Sequence, residues 1–376
     1  VRRGQEFHTR LVQTGCEMHP IVGNTLVSMY ANCGLVLEAQ ETFDNLEDRD
    51  FVSWNALICG YSQHDLHDEA LKCFRLMCEN GILPDSVTYI CVLKACSSIQ
   101  NLDMGKKTHV HVSKGGLLEK DMILCTALME TYVKCNMLQK AREVFNLLSP
   151  ARDIVSWNIL IVGYVQQGFE DEALKCFSQM LNEKISPDAL TFTCILKACG
   201  SIGYLDMGKE IHDKSTKQNL VAKDVVLGAT LVEMYAKCGI IRIAQQVFDE
   251  LPVQNLESWV ALMAGYAHLG QPKKVLSLFE EMIKQRITPN VETFLALLNA
   301  CNHGGLVKEG QILFEDISTI YCLMPGVEHY ASMVSLFSRA GYFDNAMVVI
   351  EKMPSCDYFA VWIAFLGACC KWVNVE

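Results

Sequence analysis

The residues of this chain best equipped for chemistry are its eighteen cysteines and ten histidines. Such residues hold zinc when they cluster, and C-x-x-C is the commonest spacing for metal or redox work. That spacing occurs nowhere in the sequence. A zinc deaminase would carry H-x-E beside P-C-x-x-C. The one H-x-E here is His67-Asp68-Glu69, in "HDEALKCF", and the matching stretch further along reads "EDEALKCF" (Glu170–Phe177), so the histidine is not repeated. His109 and His111, two apart on a helical pattern, face different directions and lack a carboxylate partner. The glycine of "MYAKCG" (Met234–Gly239) closes a helix and does not cradle a phosphate. The pattern predicts neither a metal site nor a cofactor, and it predicts no enzyme. The cysteines recur at equivalent places: Cys73 with Cys176, Cys91 with Cys194, Cys96 with Cys199 and Cys301, Cys33 with Cys135 and Cys238. Such placement predicts small, reduced packing residues and a reducing compartment. Cys369 and Cys370 belong with them.

That recurrence follows a longer one. "FVSWNALICGYSQHDLHDEALKCF" (Phe51–Phe74) returns as "IVSWNILIVGYVQQGFEDEALKCF" (Ile154–Phe177), and a third copy opens with "LESWVALMAGYAHLG" at Leu256. The aromatic or cysteine closing each first helix sets unit starts at 20, 51, 86, 122, 154, 189, 225, 256, 291 and 327. From residue 51 the lengths run 35, 36, 32, then 35, 36, 31, then 35, 36. Residues 1–19 match the tail of a long unit, since "GQEFHTRLVQTG" parallels "GKKTHVHVSKGG".

Each unit reads as two helices. Val52, Trp54, Leu57, Ile58 and Tyr61 keep the three-and-four spacing of one apolar face, and Ala70, Leu71, Phe74 and Met77 keep it in the next segment. "NGILPD" then stops the helix, because Gly81 can cap it and Pro84 cannot continue it. No period-two alternation suggests a strand. So short a helix pair cannot bury both apolar faces alone, which predicts neighbours stacked into an open spiral whose concave face is lined by first helices. Composition agrees: 51% of residues are hydrophobic and 20% charged, enough for a packed core. No apolar run reaches the ~20 residues of a membrane span. "YFAVWIAFLGACC" (Tyr358–Cys370) reads as one buried helix. The formal charge of −11 argues against loose, charge-driven attachment to nucleic acid. The chain opens on Val1 and stops inside a fresh first-helix pattern, so a fragment of a longer protein is expected, with any targeting segment outside it.

The length triplet, with "VSWNALICGY", "YICVLKACSS", "TLVEMYAKCG", "EALKCF" and "PD", resembles the PLS subclass of plant pentatricopeptide repeat (PPR) proteins. The resemblance covers essentially all 376 residues. It implies an all-α fold, a right-handed α-solenoid superhelix of stacked helix-turn-helix PPR repeats over residues 1–357. Residues 358–376 look like the truncated start of that family's C-terminal extension motif. The uniform ~34-residue tetratricopeptide period does not fit.

The resemblance also implies that the fifth and last residues of a unit face a base edge, while the second wedges against base faces. One helical repeat per base is an established way to read single-stranded RNA. The ordered pairs are Asn24 with Asp50, Asn55 with Asp85, Ile90 with Asp121, Thr126 with Asp153, Asn158 with Asp188 and Thr193 with Asp224. Ala229 with Asn255, Val260 with Asn290 and Leu295 with Gly326 follow. A carboxylate only accepts hydrogen bonds, so Asp favours a base with an imino N–H, uracil or guanine. Short Thr leaves room for the purine, and longer Asn suits a pyrimidine. Residues 20–188 then predict 5′-U/C, U/C, any, G, U/C, with a weak G from the unit at 189. The wedge places hold Ile21, Val52, Val87, Ile123, Val155, Leu190 and Val226, and then Glu257, Glu292 and Glu328. Reading is therefore expected to fade after residue ~225. Lys94 and Lys197 could add local positive charge. The rival account of each Asp or Asn is a plain turn residue after proline; only the recurrence of matched pairs favours reading.

By resemblance, such a protein specifies organellar transcript sites, in a mitochondrion or chloroplast, for C-to-U RNA editing. The deaminase would come from outside this chain, through an editing cofactor protein or a deaminase-bearing partner. Long units with Ile90 and Leu295 at the fifth place would face that partner. The alternatives are a splicing or transcript-stability factor, and a protein-interaction scaffold.

Overall fold

Apolar residues spaced three and four apart fold here as they must, into helices whose stripes face one another. The computed structural model describes residues 2–14, 19–148, 152–353, 359, 361–363 and 365–367. The described residues form helices and turns, with no strand among them. They divide into two compact units, Val1–Ser186 and Pro187–Glu376.

The first unit holds α1 (Arg2–Thr14), α2 (Pro20–Asn32), α3 (Val36–Asp44), α4 (Phe51–Gln63), α5 (His67–Glu79), α6 (Ser86–Ser98), α7 (Leu102–Lys114), α8 (Met122–Lys134), α9 (Leu138–Leu147), α10 (Ile154–Gln166) and α11 (Glu170–Asn182). Within it, α2, α4, α6, α8 and α10 stack in succession as one layer. The helices α3, α5, α7 and α9 form a second layer, each packed on its own first helix and on the next. The second unit holds α12 (Ala189–Ile202), α13 (Leu205–Lys217), α14 (Val225–Lys237), α15 (Ile241–Glu250), α16 (Leu256–His268), α17 (Pro272–Lys284), α18 (Val291–Gly304), α19 (Val307–Thr319), α20 (Val327–Arg339) and α21 (Phe343–Glu351). It repeats the scheme, with α12, α14, α16, α18 and α20 as the stacked first helices.

The core is periodic because the sequence is. Trp54, Trp157 and Trp259 are buried and meet Phe43, Phe145 and Phe248 edge-on at 4.7, 4.6 and 4.7 Å. Such edge-to-face pairs each add roughly 0.5–1.5 kcal/mol beyond burial. In the short turn joining a first to a second helix, Gly168 sits at φ +73°, and Asp65 takes the same place at φ +61°. Aspartate is one of the few side chains that tolerate this left-handed conformation. The extension motif expected over 358–376, with Cys369 and Cys370, falls outside the described residues apart from the helical positions named above.

The described cysteines fall into three groups rather than one, with the exposed Cys78 and Cys322 outside them. Cys73, Cys96, Cys125, Cys176, Cys194, Cys199 and Cys301 are buried, as expected of packing residues. Burial pushes the thiols of Cys73 and Cys96 up to about 12, so they stay protonated and unreactive. Cys33, Cys135 and Cys238 instead follow the last residue of α2, α8 and α14, where helix ends meet solvent and burial is incomplete. Cys59 and Cys91 correct the expectation outright: they form a disulfide between α4 and α6. Cys59 has no twin, since Val162 and Ala264 hold its place in the other copies, so periodicity could not mark it.

Candidate functional site

The helix N-termini of the first layer organise the residues singled out in the sequence. Four backbone N–H groups at a helix start lack partners, and a preceding Asp or Asn supplies an acceptor. Asp50, Asp85, Asp121, Asp153, Asp188 and Asp224 all do this, for α4, α6, α8, α10, α12 and α14. Asn255 and Asn290 do it for α16 and α18. Gly326 has no side chain to offer; its own N–H donates to Nδ1 of His329, 3.2 Å away.

Within the first unit, Asn24 with Asp50 and Asn55 with Asp85 are joined directly. The Asn24 amide donates to both oxygens of Asp50, at 3.0 and 3.1 Å, and the Asn55 amide donates to Oδ1 of Asp85 at 3.0 Å. The fifth residue of one unit thus reaches across to the cap of the next. Burial pushes the Asp85 carboxyl upward, but hydrogen bonds from Thr88, through its backbone and then its hydroxyl, from the Asn55 amide and from the Val87 N–H outweigh it and leave the group below its usual value. Asp85 is therefore an anion at neutral pH.

The Thr pairs are not joined in this way. The Thr126 hydroxyl donates back to the Ile123 carbonyl of its own helix at 2.9 Å, while Asp153 accepts from the Ser156 N–H. Thr193 likewise donates to the Ala189 carbonyl at 2.8 Å, and Asp224 accepts from the Val226 and Leu227 N–H groups. Asn158 is buried on α10 in the first unit, and Asp188 caps α12 in the second. Asn24 is also buried, only 8% exposed, so its amide is committed to the cap and not held open to solvent.

The second places behave differently from the core. Ile21, Val52, Val87, Ile123 and Val155 are between 40% and 72% exposed, although each is aliphatic and lies at the start of a first helix. Leu190 and Val226 continue this in the second unit, and Glu257, Glu292 and Glu328 then take the place, all exposed. One register of the first helices thus carries an exposed aliphatic side chain in unit after unit. Lys94 and Lys197 are exposed on their first helices.

The histidines find structural partners. His8, His109 and His212 each meet a tyrosine of the following first helix, Nδ1 to Tyr30, Tyr132 and Tyr235 at 2.7, 2.7 and 3.0 Å. His111 is exposed, turned away from His109. His67 lies 3.6 Å from Asp65. Among the described residues no three His, Cys, Asp or Glu side chains come together as a metal site. What the sequence reading did not find is the hydroxyl three residues after six of the eight caps: Ser53, Thr88, Ser156, Thr191, Ser258 and Thr293, with Leu124 and Leu227 following Asp121 and Asp224. The signal was present as D/N-x-x-S/T, a variant of the capping box.

Helix pairs of 35, 36 and 31 residues, with caps and core aromatics in fixed register, agree with comparisons of the whole chain. The PPR repeat family model matches residues 49–98, 152–201 and 254–303, and the PPR repeat model matches 24–51, 123–149 and 328–358. The chain belongs to the pentatricopeptide repeat family. The mitochondrial PPR-containing protein At3g11460 of Arabidopsis thaliana is 36% identical over 99% of the chain, which spans 60% of that relative. The chloroplastic PPR-containing protein At1g11290 of the same plant is 35% identical over 99% of the chain, spanning 46% of that relative. The crystal structure of the PPR protein PPR10 in complex with an 18-nt psaJ RNA element superposes with a TM-score of 0.75, at 18% identity, over 98% of this chain and 55% of that one. The fold is thereby that of a PPR α-solenoid.

Proposed function

We propose that this PPR array binds single-stranded RNA in a sequence-specific manner, one base per repeat, and carries no chemistry of its own. The observation that supports this best is the row of exposed aliphatic residues at the second place of successive units, set beside the Asn–Asp pairs that end them. An aliphatic side chain in water contributes nothing, but against the face of a base it is desolvated, which brings about 25 cal/mol per Å² of apolar surface covered. That magnitude offsets the lack of a basic footprint in a chain of charge −11. The name of PPR10's complex, which holds an RNA element, favours the same reading.

Base choice follows from the groups at the edge. Asp85, ionised and acceptor-only, selects an imino N–H, and the adjacent Asn55 amide selects a carbonyl beside it, which together specify uracil with cytosine tolerated. The preference read along residues 20–188 is 5′-U/C, U/C, any, G, U/C. The subclass is the PLS type, working in mitochondria or chloroplasts as the relatives' names suggest, and the biological role is the choice of transcript sites for C-to-U editing with a deaminase supplied by a partner. In units from residue 256 onward Glu257, Glu292 and Glu328 stand at the place of the base faces in this reading and repel RNA, and the unit at 225, with Ala229 at its fifth place, reads weakly.

The test is Asn55→Thr, assayed by fluorescence anisotropy on RNAs that differ only at the second base. The preference moves from pyrimidine toward guanine if the edge residues read the base. Equal binding to matched and scrambled RNA by the parent chain would identify a protein-interaction scaffold instead.

A further inference from the structure

The hydroxyls three residues after the caps fall into two geometries, and the division follows the sequence. Where the residue is serine, the side chain turns to its own backbone. Ser53, Ser156 and Ser258 each donate to the carbonyl of the capping residue, Asp50, Asp153 and Asn255, at 2.9, 2.8 and 2.7 Å. Where it is threonine, the hydroxyl turns to the cap's side chain. Thr88, Thr191 and Thr293 meet Oδ1 of Asp85, Asp188 and Asn290 at 2.8, 2.8 and 2.9 Å. The branched Cβ of threonine holds χ1 in few rotamers, whereas serine turns freely.

At Thr88 this orientation has a second effect. Its hydroxyl also lies against Oδ1 of Asn55, the fifth residue of the preceding unit, so its one proton is shared between Asn55 and the Asp85 carboxylate, and it accepts the Asp85 N–H at 3.2 Å. Asn55, Asp85 and Thr88 therefore close into one ring of hydrogen bonds: the Asn55 amide nitrogen on Asp85, and the Asn55 carbonyl on Thr88. Asn24 lacks the equivalent. Ser53 is occupied with Asp50's backbone, and Oδ1 of Asn24 is buried with no hydrogen-bond partner. A buried carbonyl without a partner carries the full cost of its desolvation.

We propose that Thr88 is a specificity-determining positioning residue of the unit that begins at residue 51. By occupying the Asn55 carbonyl, it fixes the amide so that only N–H is presented outward, and a base offering an amino group there binds less tightly than one offering a carbonyl. Uracil, with carbonyls flanking its imino N–H, satisfies the arrangement; cytosine, with an amino group on one side, does not. The unit beginning at 20 has no such lock and discriminates less. This inference rests on the base-reading function proposed above and deepens it at one site.

The experiment compares uracil with cytosine at the base facing residue 51's unit, using the full chain and short RNAs identical elsewhere. Thr88→Val removes the hydroxyl at nearly constant volume and lowers the uracil-to-cytosine affinity ratio by about 5- to 10-fold, the scale of one buried hydrogen bond. Thr88→Ser restores part of that ratio, because a hydroxyl is again available. Thr293→Val is the control: it removes the same bonds to the same kind of cap, but the preceding fifth residue is Val260, which has no group to orient. Its melting temperature falls, by less than that of Thr88→Val because no Asn carbonyl is left unpaired, and its base ratio stays that of the parent. Should Thr88→Val leave the ratio unchanged while Asn55→Thr still shifts base preference, the positioning role is wrong and base reading stands. Should Asn55→Thr shift nothing, base reading itself is wrong.

Discussion

Replacing Asp85 with asparagine separates its observed task, capping a helix, from the proposed one of facing a base. The hydrogen bonds from the Thr88 N–H at 2.9 Å, the Thr88 hydroxyl at 2.8 Å and the Asn55 amide at 3.0 Å all fall on Oδ1. An amide placed with its oxygen in that position keeps all three, and only Oδ2 changes, from acceptor to donor. The chain contains the outcome already: Asn290 caps α18 through the same bonds to Thr293, at 2.9 Å from both N–H and hydroxyl. Asn and Asp cap helices about equally well, so the stability change should stay near the ~0.3–1 kcal/mol that a charge at a helix N-terminus contributes. The base-facing effect is larger. An acceptor aimed at an imino N–H becomes a donor aimed at it, which loses a charge-assisted hydrogen bond of about 1.5–3 kcal/mol. That converts to a roughly 10- to 100-fold fall in affinity for uracil. Cytosine, which presents a lone pair at the same ring position, gains in relative terms, and the order of the two reverses. The assay is anisotropy titration of Asp85→Asn against uracil and cytosine RNAs, with a thermal melt in parallel. A melt close to the parent's together with an unchanged uracil preference would refute the assignment, because the carboxylate would then be a cap and nothing more.

Three further outcomes follow from the packing. Gly60 shares its place with Gly163 and Gly265, and a Cβ there would come within 2.5 Å of the Ala31 Cβ and 3.3 Å of its Cα; Gly60→Ala should gain ~1 kcal/mol of helix propensity yet lose about 1–3 kcal/mol to overpacking, lowering the melting temperature. Desolvation, followed by the nearby Lys140, holds the His109 imidazole below its ordinary 6.5, so its neutral form is favoured in the fold; the associated stability is present above pH ~6.5 and lost as pH falls through the folded value, and His109→Gln should flatten that part of a stability–pH curve. The Cys59–Cys91 bond closes a loop of 32 residues in sequence separation, which the loop-entropy model values at about 3–4 kcal/mol; dithiothreitol should lower the melting temperature of the parent and have no such effect on Cys59→Ser.

The helical class was legible because the stripe Val52, Trp54, Leu57, Ile58, Tyr61 leaves no other period, and the copies at 154 and 256 repeat it. Trp54 and Tyr61 are buried while Val52 at the edge of the stripe is not, and that exception could be anticipated only from the family resemblance. The histidines show the limit. His109 has no partner within its own helix, and Tyr132 lies 23 positions further on, so a pairing made by stacking was invisible to local spacing. The disulfide was hidden for the opposite reason: the argument from recurrence concerns what copies share, and Cys59 is what one copy does not share. The hydroxyls of Ser53 and Thr88 were hidden by chemistry, since serine and threonine look interchangeable until the branched Cβ sends one to the backbone and the other to the side chain.

The caps also change what counts as support for a reading surface. Asp50, Asp85, Asp121, Asp153, Asp188 and Asp224 recur, but so do Asn255 and Asn290, in units whose fifth residues, Ala229 and Val260, have no hydrogen-bonding side chain. From α4 to α18 every first helix takes an acceptor from the residue before it, so the last residue of a unit serves folding whether or not a base is read. Where the acceptor is lost, at Gly326, His329 accepts the N–H of that residue. An Asp at the end of a unit therefore cannot by itself distinguish a reader from a spacer. The fifth residue can, because nothing in the helix requires Asn24 or Asn55 to be polar: Ala229, Val260 and Ile90 hold the same place in equally regular helices. An amide kept there, buried at Asn24 and half-buried at Asn55, and spent on the neighbouring carboxylate, is a choice that helix formation does not require. Base preference should accordingly follow substitutions at residues 24 and 55 more sharply than stability does, and substitutions at 255 and 290 should move stability alone.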